Sequence, residues 1–214
     1  MTVYILVVCC KDDIGEYEML QRYIRLTWGS VNHPNVKVFY LWCSNFKKKG
    51  KDIFILDKPE GYGMLLWKTL AFLFKHRHDD FDYVFRVNVG CYVHIDRLYN
   101  HLLTCPREIF YSGPVDWYDD IRFISGTGFI LSKDLVKLSL QNIKKFGFDH
   151  IDDVSYGRFM QRFGVNPTPD YSRRIFNGSD YGCEKTYQFK LRSKDGNRFQ
   201  DCLAMEELHN RFYS

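Results

Sequence analysis

The chain has 214 residues, 45% of them hydrophobic and 26% charged, a balance that excludes a disordered tail, a collagen or a coiled coil and suits one domain with its own core. Lys and Arg outnumber Asp and Glu by 30 to 26, and a net charge of +4 is too mild for a dedicated nucleic-acid binder. The aromatic share is 17%, with 18 Phe and 15 Tyr, enough for both a core and flat surfaces on which sugars or bases stack.

The run Val3 to Cys9 is continuous, β-branched and bounded by charge, and predicts a central strand. Tyr17, Leu20, Ile24 and Trp28 recur at helical spacing, which predicts a helix over 16–28 with Gly29 as its C-cap. Strands are expected at Val36 to Cys43 and Asp52 to Leu56, then a helix over 62–77 with Leu66, Leu70 and Leu73 or Phe74 on one face. The stretch between them holds the one basic run, Lys47-Lys48-Lys49 with Lys51 close by, which reads as a solvated loop. Tyr83 to Val89 predicts a strand, 95–104 a short helix and Glu108 to Ser112 a strand. Ile121 to Ile124 and Gly128 to Leu131 are extended pieces around Ser125-Gly126-Thr127-Gly128. Ser132 can cap a helix running to about Phe146, and another covers 151–163 and ends at Gly164. The remainder is less regular, with a hairpin expected around Asp195-Gly196-Asn197 and a terminal helix over 201–211. Trp28, Trp42 and Trp67 sit inside elements and read as core, and His76 and His78 as solvated.

Strands alternate with helices, so the class is α/β with a mostly parallel central sheet flanked by helices. In such sheets ligands bind beyond the carboxyl ends of the strands. There is no P-loop, no GxGxxG and no HExxH, and no glycine follows the first strand, which argues against NAD, flavin or haem chemistry. Seven cysteines without a CxxC pair, several in apolar surroundings, point to reduced thiols. Residues 3–10 lack a basic flank and are too short for a leader or a membrane span, so a soluble, cytoplasmic protein is expected.

Several segments carry chemistry. Asp152 and Asp153 open a helix, either as a general base with a partner or as a pair that complements the helix dipole. Gly126-Thr127-Gly128 lets backbone approach a sugar closely, or is a simple bulge. Asp116, Trp117, Asp119 and Asp120 combine carboxylates with a ring, as an acceptor or donor-sugar loop or as a plain loop anchored by Trp117. Asp80-Phe81-Asp82 is formally a DxD but precedes its strand, at the wrong end of the sheet, and reads as a solvated turn. His94 follows a strand and suits a hydrogen-bonded structural role.

Five pieces in order resemble the fringe and β-1,3-galactosyltransferase group, GT-A-fold enzymes that use UDP-sugars. These are Arg22-Tyr23-Ile24-Arg25-Leu26-Thr27-Trp28-Gly29; Glu60-Gly61-Tyr62 with Leu66-Trp67-Lys68-Thr69; and Phe81 to Arg86 leading to Tyr92-Val93-His94 and Leu98. Ser125 to Ser132 and Asp152-Asp153-Val154 with Gly157 complete the set, which spans roughly 3–165. The resemblance implies a single GT-A-like domain over 1–214, with a nucleotide-binding half (1–90) and a sugar and acceptor half (91–214). It implies inverting transfer from a UDP-sugar to a glycan or glycoprotein, with Asp153 as base beside Asp152. Cys9, Cys10, Lys11, Asp12 and Arg22 would hold the nucleotide, with Asn88-Val89-Gly90 at the diphosphate, Gly126, Thr127 and Gly128 at the sugar, and Lys68 and Arg86 among the donor-binding residues.

One departure stands out. The group's metal-binding DDD falls on Asn88-Val89-Gly90, and a late histidine aligns loosely with Asn177. Three accounts stay open. Lys68, Arg86, Arg173 or Arg174 replaces the metal; Mn²⁺ or Mg²⁺ binds through donor phosphates and Asp116, Asp119 or Asp120; or only binding survives. Lacking an anchor, the chain fits a bacterial enzyme or a large-DNA-virus enzyme acting in host cytoplasm. Two further readings stand beside this one: a non-catalytic nucleotide-sugar-binding module, and a nucleic-acid-binding domain motivated by the Lys47 cluster.

Overall fold

A computed structural model describes residues 1–44, 50–61, 63–170, 173–193 and 195–214. The Lys47-Lys48-Lys49 run, and with it the motive for the nucleic-acid reading, lies outside the described residues, as does Tyr62. In chain order the strands are β1 (Val3–Val8), β2 (Val36–Cys43), β3 (Ile53–Leu56), β4 (Tyr83–Asn88), β5 (Cys91–Val93), β6 (Tyr111–Gly113), β7 (Val115–Tyr118), β8 (Ile121–Ile124), β9 (Gly128–Ser132), β10 (Thr168–Pro169), β11 (Arg173–Phe176) and β12 (Gln188–Leu191). The α-helices are α1 (Glu16–Leu26), α2 (Met64–Lys75), α3 (Ile95–Leu103), α4 (Lys133–Gln141), α5 (Asp152–Arg162) and α6 (Arg198–Tyr213).

The architecture is α/β. A seven-stranded sheet runs in the order β10-β6-β9-β4-β1-β2-β3. β1 pairs parallel with β2 and β4, and β2 with β3, while β9 runs antiparallel to both β4 and β6. Every residue of β1 is buried, because both its edges are paired and both its faces are covered. Alternation divides its side chains: Val3, Ile5 and Val7 join a core with Leu20 and Ile24 of α1, Leu98 of α3 and Met205 of α6. Tyr4 and Leu6 join the opposite core with Leu66 and Leu70 of α2, Leu135 of α4 and Phe159 of α5. Strands from both 1–90 and 91–214 build this sheet. Two smaller sheets flank it, β11-β12-β5 and the β7–β8 hairpin.

Several local expectations are corrected. α1 stops at Leu26, where Thr27 turns its hydroxyl back to the Tyr23 carbonyl (2.6 Å), and Gly29 falls inside the 3-10 turn Trp28–Ser30 rather than capping the helix. That turn buries Trp28 completely and lets its indole N–H donate to the Cys91 carbonyl at 3.1 Å. Trp42 is core, but Trp67 is 38% exposed and stacks on Phe148, because its neighbour Leu66 takes the inward face of α2. His76 is half-buried and pairs with Asp79 at 2.8 Å. Among the described residues no hairpin forms at Asp195-Gly196-Asn197. β12 pairs with β5 and β11 instead, and the turn leads into α6, which starts at Arg198 because the Asn197 side chain accepts the Phe199 N–H. Among the described residues no helix is long and apolar enough to cross a membrane.

Candidate functional site

The carboxyl ends of β1 and β4 meet the amino end of β9 at one edge of the sheet, since Val87 pairs with Gly128 across an antiparallel ladder. A cleft of about 750 Å³ opens there, the size of a site for a nucleotide-sized ligand. Cys10 and Lys11 after β1, Arg86 and Asn88-Val89-Gly90 at β4, Gly126 and Thr127 before β9, and Asp152 and Asp153 at the start of α5 all line it. These residues are scattered over more than 140 positions of sequence and are gathered by the parallel pairing of β1 with β4 and the antiparallel pairing of β4 with β9.

Arg86 organises the floor. Alternation along β4 turns it away from the core that holds Phe85 and Val87, and it is 1% exposed. Its Nη2 pairs with the Asp152 carboxylate, while Nη1 donates to Asn88 Oδ1 (2.8 Å) and to the Gly126 carbonyl. A buried guanidinium needs such a set of acceptors, since it stays charged. Burial pushes the Asp152 carboxyl above its ordinary value, and Arg86 opposes that rise. Asp153 sits beside the pair, 8% exposed. Its Oδ2 accepts the Gly126 N–H at 2.7 Å and its Oδ1 the Val154 N–H at 2.9 Å. An ionised carboxylate has about four lone-pair sites, so each oxygen keeps one for a ligand hydroxyl. Both residues stand in the first turn of α5.

Other expected site residues lie behind or beside the cleft. Cys9 is buried, and its carbonyl accepts from Lys68 Nζ at 2.6 Å; Lys68 is itself fully buried and pairs with Glu60 at 2.9 Å. Lys68 thus fixes the end of β1 and the Glu60 side chain from behind. Asp12 accepts the Glu16 and Tyr17 N–H groups and opens α1. Arg22 is exposed on α1, since Gln21 and Ile24 take the buried positions, and it does not line the cleft. Gly128 packs under Phe85 and Gln188. Asp116 lines a smaller concavity of about 230 Å³ that shares Thr127 and Lys190 with the main cleft and also holds Arg173 and Arg174. Trp117 and Asp119 line neither; Trp117 is 64% exposed on the β7–β8 hairpin and so is not a buried anchor, and Asp119 occupies its turn with a left-handed φ of 51°. Asn177 accepts backbone N–H groups within its own turn, from Ser179 and Asp180. His94 is buried behind Tyr213, and burial lowers it to about 4. Asp82 lies at the opposite end of β4 and accepts from Thr2 and Arg107.

Sequence reasoning missed Tyr17, Glu60, Lys190, Arg192 and Arg198, all of which line the cleft. Glu60 lay in a segment already singled out. Lys190 lies in β12 and Arg192 just past its end, two positions apart, a spacing too short to read without the strand's partners. Among the described residues no cluster of three His, Cys, Asp or Glu side chains suits a metal ion. The fit for a divalent cation at the Asn88-Val89-Gly90 loop is poor. Gly90 has no ligand, and a Cβ there would lie 2.8 Å from Nη2 of Arg198, whose positive charge already fills that place.

No known protein-family profile matches the chain. β-1,3-Galactosyltransferase 1 of Mus musculus and of Homo sapiens are each 27% identical to it over 206 residues, covering 76% of this chain and 61% of theirs. The chain therefore spans less than two thirds of the length of the curated relatives it matches, 61%. Among solved structures, the galactosyltransferase LgtC in complex with donor and acceptor sugar analogs aligns at a TM-score of 0.49 and 10% identity, over 100% of this chain and 97% of that one.

Proposed function

We propose that this chain is a glycosyltransferase that moves a sugar from a UDP-sugar to a hydroxyl of a glycan or glycoprotein, with inversion. The acceptor oxygen attacks the anomeric carbon as the bond from that carbon to the diphosphate oxygen breaks. The bonding pair leaves on the diphosphate, and the acceptor proton passes to the carboxylate of Asp153. Asp152 and Arg86 hold Asp153 and the Gly126 turn in register, and the cationic cleft wall offsets charge on the leaving group. The observation that carries the reading is the Asp153 carboxylate beside the Gly126 amide at the carboxyl edge of the sheet, in a cleft sized for such a donor. The identity to β-1,3-galactosyltransferase 1, across 76% of this chain, supports the choice of reaction class.

A second reading, a nucleotide-sugar-binding module without turnover, is favoured by one observation: both Asp153 oxygens already accept amide hydrogen bonds. One experiment separates the two. UDP release is measured from UDP-galactose, UDP-glucose and UDP-N-acetylglucosamine, for the wild type and Asp153→Asn, with UDP binding followed by calorimetry. The proposal expects turnover that falls about 10²–10⁴-fold in the variant while UDP still binds, the loss typical of a missing general base. Binding without turnover supports the module. Failure of UDP to bind ends both readings.

A further inference from the structure

Arg198 is not named in the reading above, yet it is a cation held in place by a buried carboxylate. Asp201, 2% exposed, takes its Nη1 at 2.5 Å and is fixed in turn by the Ser193 N–H at 2.9 Å. The Tyr17 ring lies 5.9 Å from its guanidinium. That leaves the Nε–Nη2 edge, the edge that grips oxyanions side-on. Among the described residues Nε is buried without a hydrogen-bond partner, and Nη2 is aimed over Gly90. The Leu191 N–H donates to the Gly90 carbonyl at 2.9 Å, so β12 holds this loop beneath the guanidinium. Lys190 and Arg192 flank Leu191 on the cleft side, and Lys11 faces them from the end of β1. Among the described residues these three form no ion pair, whereas Glu60 and Asp152 in the same cleft are each neutralised by a buried cation.

We propose that Arg198, backed by Lys190 and Arg192, is a built-in counter-ion for the diphosphate of a nucleoside diphosphate, so that the cleft binds it without a divalent cation. The inference rests on the donor reading of this cleft and adds to it how the diphosphate is held. An unpaired guanidinium edge over a side-chain-free residue accepts an oxyanion and repels a metal ion. Preorganisation by Asp201 limits the entropy lost on binding.

The test is calorimetry of UDP and of uridine, each in EDTA and in Mn²⁺, on the wild type, Arg198→Gln and the double variant Lys190→Gln/Arg192→Gln. The expected result is wild-type UDP affinity that is the same in EDTA and Mn²⁺. Arg198→Gln should then weaken UDP by about 10- to 100-fold, the loss of charge-assisted hydrogen bonds, and leave uridine unchanged. The double variant, which leaves the Arg198–Asp201 pair intact, should weaken UDP alone and stands in if Arg198→Gln fails to fold. UDP binding that appears only with Mn²⁺, or that ignores all three cations, overturns the inference and leaves the transferase reading standing. No binding of UDP or uridine in either condition removes the donor reading and the inference with it.

Discussion

Gly126 is where backbone and carboxylate come closest in the cleft. A Cβ added there would stand 2.9 Å from Asp153 Oδ2 and 3.5 Å from Arg86 Nη1. The Asp153 oxygen must therefore move, and with it the hydrogen bond from the Gly126 N–H that orients the carboxylate. Gly126→Ala is expected to lower sugar transfer by about 10²-fold, the cost of roughly 1 Å of misplacement at a reacting group. Its Tm should fall only by about 2–4 °C, the shift from roughly 1 kcal/mol in a chain of this size. A steady-state assay beside a thermal melt checks both, and equal losses in Asp153→Asn and the double variant would place the two residues in one unit.

Among the elements, α5 is seated closely on β8. Gly157 faces β8 so closely that a Cβ would fall 2.2 Å from Phe123 Cβ and 2.9 Å from its Cα. Alanine in place of glycine inside a helix ordinarily stabilises by about 1 kcal/mol. Here the backbone contact reverses the sign, and Gly157→Ala should destabilise by about 1–3 kcal/mol, read as a lower urea midpoint at unchanged slope. Activity should fall too, since displacing α5 carries Asp153 away from Gly126. The same helix shows what the sequence reveals. Asp152 and Asp153 precede an apolar-periodic run, and that pattern alone sets them at a helix start. β1 was legible because burial on both faces demands a continuous apolar run, and β2 and β4 because most of their positions are apolar or aromatic. β12 was not: four residues with a charged third position, Lys190, make sense only once β5 and β11 pair with them from distant parts of the chain. Arg198 stayed hidden for the same reason, because its meaning depends on Gly90, and only tertiary packing brings the two together.

At the scale of the whole molecule, a polar cluster ties the central sheet to the β11-β12-β5 sheet. His101 of α3 pairs with Asp170, just beyond β10, at 3.4 Å, and Tyr187, just before β12, donates to the same carboxylate. Arg173 of β11 donates to the Tyr187 hydroxyl at 3.0 Å and to the Gly128 carbonyl of the central sheet. The hydrogen bond to Asp170, then that to Cys105, raises His101 from 6.5 to about 9 against the opposing effect of burial. A histidine raised on folding adds stability that is fully present below about pH 6.5 and is lost as pH rises through about 9. Tm should accordingly decline across that window, and His101→Gln should flatten the decline. Parallel curves for the two proteins would show that the pair contributes nothing.

The two margins of the central sheet have a consequence for how copies of the chain meet. β10 is two residues long and ends in Pro169, which has no N–H to offer a further strand. β3 is four residues long, with Lys51 and Asp52 before it and Asp57 and Lys58 after it. A fibril grows by recruiting backbone at such margins, one extended chain upon the next. Brevity, a proline and flanking charge close both entrances, so a sheet with a largely apolar centre stays a poor template for its own aggregation.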